Sequence, residues 1–163
     1  MESQGSVPGY VLNQFSMDEY NGYFRIVTTE NVTHYFNEGG IASAEQEKTR
    51  NHLFVLDESM NIVGSIEDLA RGESIYSARF MGDTGYFVTY RQVDPLFTVD
   101  LSTPSEPKIL SELKVPGFSN YLHPFGDGLL LGFGQNSDEE SGEIQGLKLS
   151  MFDTSDPAAV AEK

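Results

Sequence analysis

The chain has 163 residues, enough for one domain with its own core, and carries 25 acidic against 10 basic residues, a formal net charge of −15. Such an acidic surface repels phosphate backbones and anionic lipid, so the composition argues against a nucleic-acid partner and against membrane-surface binding. The absence of cysteine excludes disulfides and zinc–thiolate sites. No apolar run predicts membrane insertion, and no signal peptide is recognisable in the first residues.

The first part of the chain predicts a short tail and then a unit of strands. Residues 1–10 are polar, contain Gly and Pro, and are interpreted as an N-terminal tail. Strands are predicted at Leu12–Met17, from Tyr23, and at Leu53–Asp57. About 20 extra residues, 30–50, separate the last two of these strands. Within this insertion the good helix formers from Ala42 to Lys48 favour at most a short helical surface turn.

The middle unit has the clearest pattern of four strands. They are predicted at Ile75–Phe80, Tyr86–Tyr90, Leu96–Asp100 and Ile109–Val115, and Gly82–Gly85 forms a tight turn between the first two. Alternation of apolar and polar residues in the last strand is typical of a half-exposed outer strand. The second and third strands are apolar on both faces, which favours a sheet packed between two neighbours.

The third unit repeats the pattern with a shorter insertion. Its second strand is predicted near Gly128–Leu131 and its third at Leu149–Asp153, with about 10 extra residues near 134–145 between them. Lys163 lies 53 residues after Leu110, so the outer strand of this unit has barely begun at the last residue.

Three apolar strands that end in aspartate relate these units to one another. Asp57 and Asp100 are 43 residues apart, and Asp100 and Asp153 are 53 apart. Four short strands at this spacing are typical of β-propeller blades. We therefore predict an all-β fold of about three four-stranded antiparallel units, the last incomplete, as a fragment or half of a larger propeller. The predicted blades lie at about 11–70, 74–115 and 118–163. The three aspartates are predicted to cap turns through their side chains.

The insertions predict where a ligand would bind. In a four-stranded meander the loop between the second and third strands and the connection to the next blade emerge on the same face. Residues 30–50, 91–95 and 134–146 should therefore share one face, and functional residues concentrate on such loops. The candidate ligand-binding residues are Arg91, Gln92, Asp94, Tyr121 and His123.

The densest acidic run is the candidate metal site. Asp138, Glu139, Glu140 and Glu143 fit either a solvated loop or a weak calcium site, and both interpretations remain open. No cofactor other than calcium is indicated. The three histidines are far apart in sequence, so a metal site built on them requires tertiary convergence.

Several longer strings resemble a known family. These are Phe15–Tyr20, Tyr76–Asp83, Arg91–Phe97 and Pro116–Pro124. They resemble secreted bacterial and archaeal proteins with a C-terminal β-propeller domain distantly related to WD40 repeats. The resemblance covers residues 11–160. It implies a propeller, a longer parent protein and an extracellular or cell-surface location, and it implies no catalytic residues.

Together these features predict a non-catalytic binding or scaffold module with a protein or polysaccharide ligand. The alternative is a hydrolytic domain that acts on an extracellular polymer through clustered carboxylates. An arc of three blades leaves two apolar end faces open. We expect either a homodimer, in which the first blade of each chain meets the third blade of the other in a six-bladed ring, or coverage by the remainder of a longer chain. The N-terminal segment, through Val7 and Tyr10, is an alternative source of the missing outer strand of the third blade.

Overall fold

The computed structural model contains three four-stranded antiparallel sheets and one inserted hairpin. It describes residues 3–31, 33–38, 41–46, 48–90, 94–138 and 143–163, with side chains for all of these except 34–38, 41–46 and 94. The strands, in chain order, are β1 (Met17–Tyr20), β2 (Tyr23–Glu30), β3 (Thr33–Glu38), β4 (Ile41–Gln46), β5 (Arg50–Leu56), β6 (Ile62–Leu69), β7 (Ser74–Met81), β8 (Thr84–Tyr90), β9 (Asp94–Asp100), β10 (Lys108–Val115), β11 (Phe118–Pro124), β12 (Leu129–Ser137), β13 (Ile144–Asp153) and β14 (Ala161–Glu162). The predicted all-β fold is confirmed.

The first sheet has the order β1-β2-β5-β6, and the hairpin β3-β4 is inserted between β2 and β5. The predicted first strand, Leu12–Met17, was placed too early. Asn13 caps a 3-10 turn at Gln14–Ser16 by accepting a hydrogen bond from the Phe15 N–H, so an extended strand begins only at Met17. The predicted helical turn in the insertion was also wrong. Residues 41–46 pair with β3 as a strand, because cross-strand pairing overrides weak local propensity.

Two-residue turns join the first two strands in each of the first two sheets. Asn21 and Gly22 both have positive φ, 53° and 79°, which is the geometry of a type I′ hairpin turn. The equivalent turn in the second sheet is Gly82-Asp83. These turns make Tyr23 equivalent to Thr84, 61 residues later (84 − 23), whereas the predicted strands place Tyr23 at the position of Tyr86, 63 residues later (86 − 23). An error of two leaves every side chain on its predicted face, because the strand period is two.

The second and third sheets have the orders β7-β8-β9-β10 and β11-β12-β13-β14. The outer strand of the third sheet has two residues, and it pairs with Phe152 and Asp153 of β13. It is therefore as short as the repeat predicted.

The core lies between successive sheets. Val27, Leu53 and Val55 of the first sheet pack with Phe87 and other residues of the second. On the opposite face of the second sheet, Tyr86 and Val88 pack with buried residues of the third, among them Leu122, Leu130 and Phe152. Phe87 and its two neighbours enter different cores because successive side chains of a strand point to opposite faces. The second sheet is thus covered on both sides, as its two-faced apolar strands predicted.

The two end faces differ. On the first sheet, Ile26, Phe54 and Leu56 pack against Val7. Tyr10 forms an antiparallel bridge with Thr29 through two backbone hydrogen bonds of 2.9 Å. We call residues 5–10 the N-terminal cover. This segment therefore lies on the first sheet. The alternative prediction, that it supplies the missing outer strand of the third sheet, was wrong.

The end face of the third sheet is open. Phe133, Leu147 and Leu149 are 41%, 75% and 67% exposed, and they alternate with inward residues of β12 and β13. In the part of the chain that the structure describes, no helix has the length and apolar character needed to cross a membrane.

Candidate functional site

The predicted ligand face is only partly described. Arg91 and Gln92 lie outside the described residues, and Asp94 is described as the first backbone position of β9. Asp94 pairs with Val115, the last residue of β10, so it lies at the end of the sheet from which the chain leaves for β11. Loop residues there were the basis of the predicted site.

The prediction placed Tyr121 and His123 near Asp94, at the end of the sheets where β11 begins, but both residues lie farther along β11. His123 is five residues beyond Phe118, where β11 begins, which is about 16 Å along a strand. It is next to Pro124, the last residue before the turn at the opposite end. The structure therefore does not bring His123 to the end of the sheet where Asp94 lies. It does join Tyr121 and His123, through a hydrogen bond of 2.9 Å between Tyr121 Oη and His123 Nδ1.

Only part of the predicted metal run is described. Glu139 and Glu140 lie outside the described residues. The Asp138 N–H donates to the Glu143 carbonyl at 3.0 Å, which closes the loop, and Gln145 Nε2 donates to Asp138 Oδ2 at 3.4 Å. Among the described side chains, no three histidine, aspartate or glutamate residues come together in a group that could hold a metal ion.

The three repeat aspartates cap turns, as predicted. The carboxylates of Asp57, Asp100 and Asp153 accept hydrogen bonds from the backbone N–H two residues later, at 2.9, 2.8 and 3.1 Å. Such bonds stabilise the ionised carboxylate. The pKa of Asp57 is lowered mainly by the Asn61 N–H, and the pKa of Asp100 by Ser102. The Ser155 hydroxyl and N–H, with Lys163, lower the pKa of Asp153 to about 2.

A cluster of aromatic and basic side chains lies at the first strands of the three sheets, which are the inner strands of the blades. Arg79 lies on β7, Tyr121 and His123 lie on β11, and Phe15 belongs to the 3-10 turn before β1. We call these four residues the inner-strand cluster. The Arg79 guanidinium carbon is 4.2 Å from the centre of the Phe15 ring and 5.4 Å from that of Tyr121, and the two ring centres are 5.5 Å apart. The three groups therefore form a compact triangle with favourable cation–π geometry.

Two of the three nitrogens of the Arg79 guanidinium have no partner among the described residues. Its Nε donates to the Leu122 carbonyl at 2.9 Å, which fixes the plane of the guanidinium. Within the described part of the chain, no hydrogen bond or ion pair involves Nη1 or Nη2. Arg79 is half-buried and His123 is exposed. The cluster thus holds the arginine in place. Since Nη1 and Nη2 lack a described partner but are not among the buried polar atoms without one, solvent reaches them.

Arg25 shows what a structural arginine looks like in the same protein. It is 2% exposed and forms a two-point ion pair with Asp18, at 2.8 Å from Nε and 2.5 Å from Nη2. Its Nη1 donates to the Gly82 carbonyl at 2.6 Å and so connects the first sheet to the second. Every nitrogen of Arg25 has a protein partner. By contrast, only Nε of the three Arg79 guanidinium nitrogens has a hydrogen-bond partner among the described residues.

The sequence pattern indicated Tyr121 and His123 but neither Arg79 nor Phe15. A signal was present, because Arg79 is the one charged residue in the strand Ser74–Met81. What the sequence could not supply is that Phe15, in the turn before the first sheet, contacts Tyr121 of the third sheet, more than 100 residues away.

The chain matches the family model of the β-propeller domain over residues 1–163, and it therefore belongs to this family. It is 44% identical over 152 residues to a protein of Methanocaldococcus jannaschii and 45% identical over 162 residues to one of Archaeoglobus fulgidus, both described as uncharacterised. The alignments cover 93% and 99% of this chain but 22% of each relative, so the chain spans about a fifth of their length. No solved structure matches the chain.

Proposed function

We propose that this β-propeller segment is a non-catalytic binding module and that the inner-strand cluster contacts its ligand. The observation that carries the proposal is the Arg79 guanidinium, which is fixed by Leu122 and two aromatic rings but has no described partner for Nη1 and Nη2. Ordered donors at an accessible surface cost little entropy when they bind. A purely structural arginine would use them within the protein, as Arg25 does.

The ligand is proposed to be a protein or polysaccharide outside the cell. Export is supported by the resemblance of residues 11–160 to secreted propeller proteins, and it is tested by fractionating cells that produce the parent protein. Recovery of that protein from the cytoplasm alone would contradict export. Nucleic-acid binding is not part of the proposal, since the net charge of −15 disfavours phosphate backbones. Membrane insertion is not part of it either, since no apolar run in the sequence predicts it.

The binding proposal is tested on peptide and glycan arrays. The wild-type chain should bind a subset of the spots, and Tyr121→Ala should lose those signals. Lys114→Gln is the matched control, because Lys114 is an exposed residue of the outer strand β10. An array with no signal above background for the wild type contradicts the proposal. Turnover of an array polymer, abolished by replacing acidic residues, would instead support the hydrolytic alternative.

We also propose that the chain self-associates. Phe133, Leu147 and Leu149 form an apolar face that soluble monomers rarely leave uncovered. The six-bladed ring expected from the sequence would bring this face against the first sheet of a second copy. Because the N-terminal cover occupies part of that first sheet, ring closure requires the cover to be displaced.

A further inference from the structure

The donors of the inner-strand cluster point to the chemistry of its ligand. Nη1 and Nη2 of Arg79 carry N–H groups in one plane, and an arginine has no acceptor. The Tyr121–His123 pair contributes one more donor whatever its protonation. If Tyr121 Oη donates to Nδ1, the exposed His123 keeps a free Nε2–H, and if Nδ1–H donates to Oη, the tyrosine hydroxyl hydrogen is free. The cluster is therefore complementary to an acceptor-rich, anionic group.

Charge selects among anions. The planar edge of a guanidinium fits both carboxylate and phosphate with two parallel hydrogen bonds. The whole chain carries −15, however, and its field disfavours a dianion more strongly than a monoanion. A singly charged carboxylate is consequently favoured over a phosphate monoester.

The surroundings of Arg79 indicate what carries the carboxylate. The Phe15 and Tyr121 rings lie beside the guanidinium and are half-buried, so part of each ring is accessible. An apolar or ring-shaped body next to the carboxylate would cover this area, and a compact inorganic anion would not.

We propose that the inner-strand cluster binds a carboxylate attached to an apolar or ring-shaped body, with the carboxylate on Nη1 and Nη2 of Arg79. The inference rests on the proposed binding function and names the ligand class of the same site. Two sources provide this chemistry, a peptide whose carboxylate lies beside an aromatic ring, as at a C-terminal phenylalanine, and a uronic acid unit of a polysaccharide. The probes below distinguish them.

The experiment is isothermal titration of the whole chain with paired probes. 3-Phenylpropionate and galacturonate carry the carboxylate, and 3-phenylpropanol and galactose are their neutral counterparts. At least one acid should bind ten-fold or more tightly than its neutral counterpart, and which one it is identifies the source. Phenyl phosphate should bind more weakly than 3-phenylpropionate. Equal binding of acid and neutral probe, or tighter binding of phenyl phosphate, overturns the proposal.

Variants assign the effect to Arg79. Arg79→Gln should weaken the acid at least ten-fold, and Arg79→Lys should retain weak binding because it keeps the charge but loses the planar edge. Lys114→Gln makes the same change in net charge and should bind like the wild type. Circular dichroism checks that each variant is folded, and His123→Ala, at an exposed position, serves if Arg79→Gln does not fold. Unchanged acid binding in a folded Arg79→Gln or, failing that, in His123→Ala overturns the proposal.

The two proposals fail in different ways. If the array signals require Tyr121 but come from spots without carboxylates, the proposal of a carboxylate ligand is wrong and the proposed binding function is still supported. An empty array refutes the binding function itself.

Discussion

The carboxylates of Asp57, Asp100 and Asp153 cap the same turn in each of the three sheets. Hydrogen bonds of the same kind therefore lower the pKa of all three groups. Each accepts backbone N–H groups in the folded chain, and each has a pKa below its ordinary value of 3.8. A carboxyl group with a lowered folded pKa stabilises the fold above its unfolded pKa and loses this contribution as pH falls toward the folded value. For Asp153 the window runs from about 4 down to about 2.

We therefore predict that the melting temperature falls as pH is lowered from 5 to 2. Asp153→Asn should be less stable than the wild type at pH 6, because it loses the ion pair with Lys163, and should lose less stability between pH 4 and 2. Melting followed by circular dichroism across this range measures both effects. The exposed Asp127→Asn is the control and should follow the wild-type curve. A parallel curve for Asp153→Asn would contradict the prediction.

The ion pair of Asp18 and Arg25 makes a second prediction for single residues. Asp18→Ala leaves Nε and Nη2 of a buried arginine without acceptors, which should cost about 3 kcal/mol of unfolding free energy in urea. The double variant Asp18→Leu with Arg25→Met should recover much of this loss, since a hydrophobic replacement removes the unpaired charge. A loss below about 0.5 kcal/mol in the single variant would show that water solvates Arg25.

At the scale of elements, the inserted hairpin is separable from the blade that carries it. The strands β3 and β4 form a sheet of their own, and the residues on either side of the insertion, Glu30 and Arg50, are already paired. Replacing residues 32–48 by a four-residue Asn/Gly linker should shift the melting temperature by less than about 5 °C. Leu53→Ala is the comparison, since Leu53 is fully buried and its truncation should cost about 2–5 kcal/mol. Loss of the folded state on hairpin removal would contradict the prediction.

The acidic loop 138–143 gives the remaining prediction at this scale. If it binds calcium, affinity should be in the millimolar range, as in weak sites exposed to water. Isothermal titration with calcium chloride should then show heat that is absent in the double variant Asp138→Asn, Glu143→Gln. Glu58→Gln, at an exposed turn of the first sheet, is the control. Absence of heat at millimolar calcium would leave the loop as a solvated connection.

Elements differ in how far the sequence could predict them. The strand Leu96–Asp100 was predicted closely because its apolar residues and terminal aspartate both mark it, and the structure begins β9 two residues earlier. The first strand was misplaced because Asn13 caps a 3-10 turn that apolar periodicity does not register. The contacts of Arg79 could not be predicted, since they involve Phe15 and Tyr121, which only the packing of three sheets brings together.

At the scale of the whole molecule, the open third sheet predicts association. Leu149→Glu places a charge on the exposed end face, so it should lower the oligomeric fraction in light scattering toward a monomer of 18.1 kDa. Ile109→Glu is the control, because Ile109 is 47% exposed but lies on the outer strand β10 of the second sheet, which belongs to neither end face. A wild-type chain that is monomeric at micromolar concentration would contradict the association.

The N-terminal cover has a consequence for how far such association can proceed. The two apolar end faces, on the first and third sheets, differ from each other, so molecules that pack through them associate head to tail. Each added molecule exposes another apolar end face to which the next can bind. If the rotation between neighbours does not close a ring, growth continues into a fibre. Val7 and Tyr10 occupy one of the two ends and thus terminate such growth. Removing residues 3–10 should therefore increase association: the product is a two-chain ring if the rotation closes, and long, concentration-dependent filaments visible by electron microscopy if it does not.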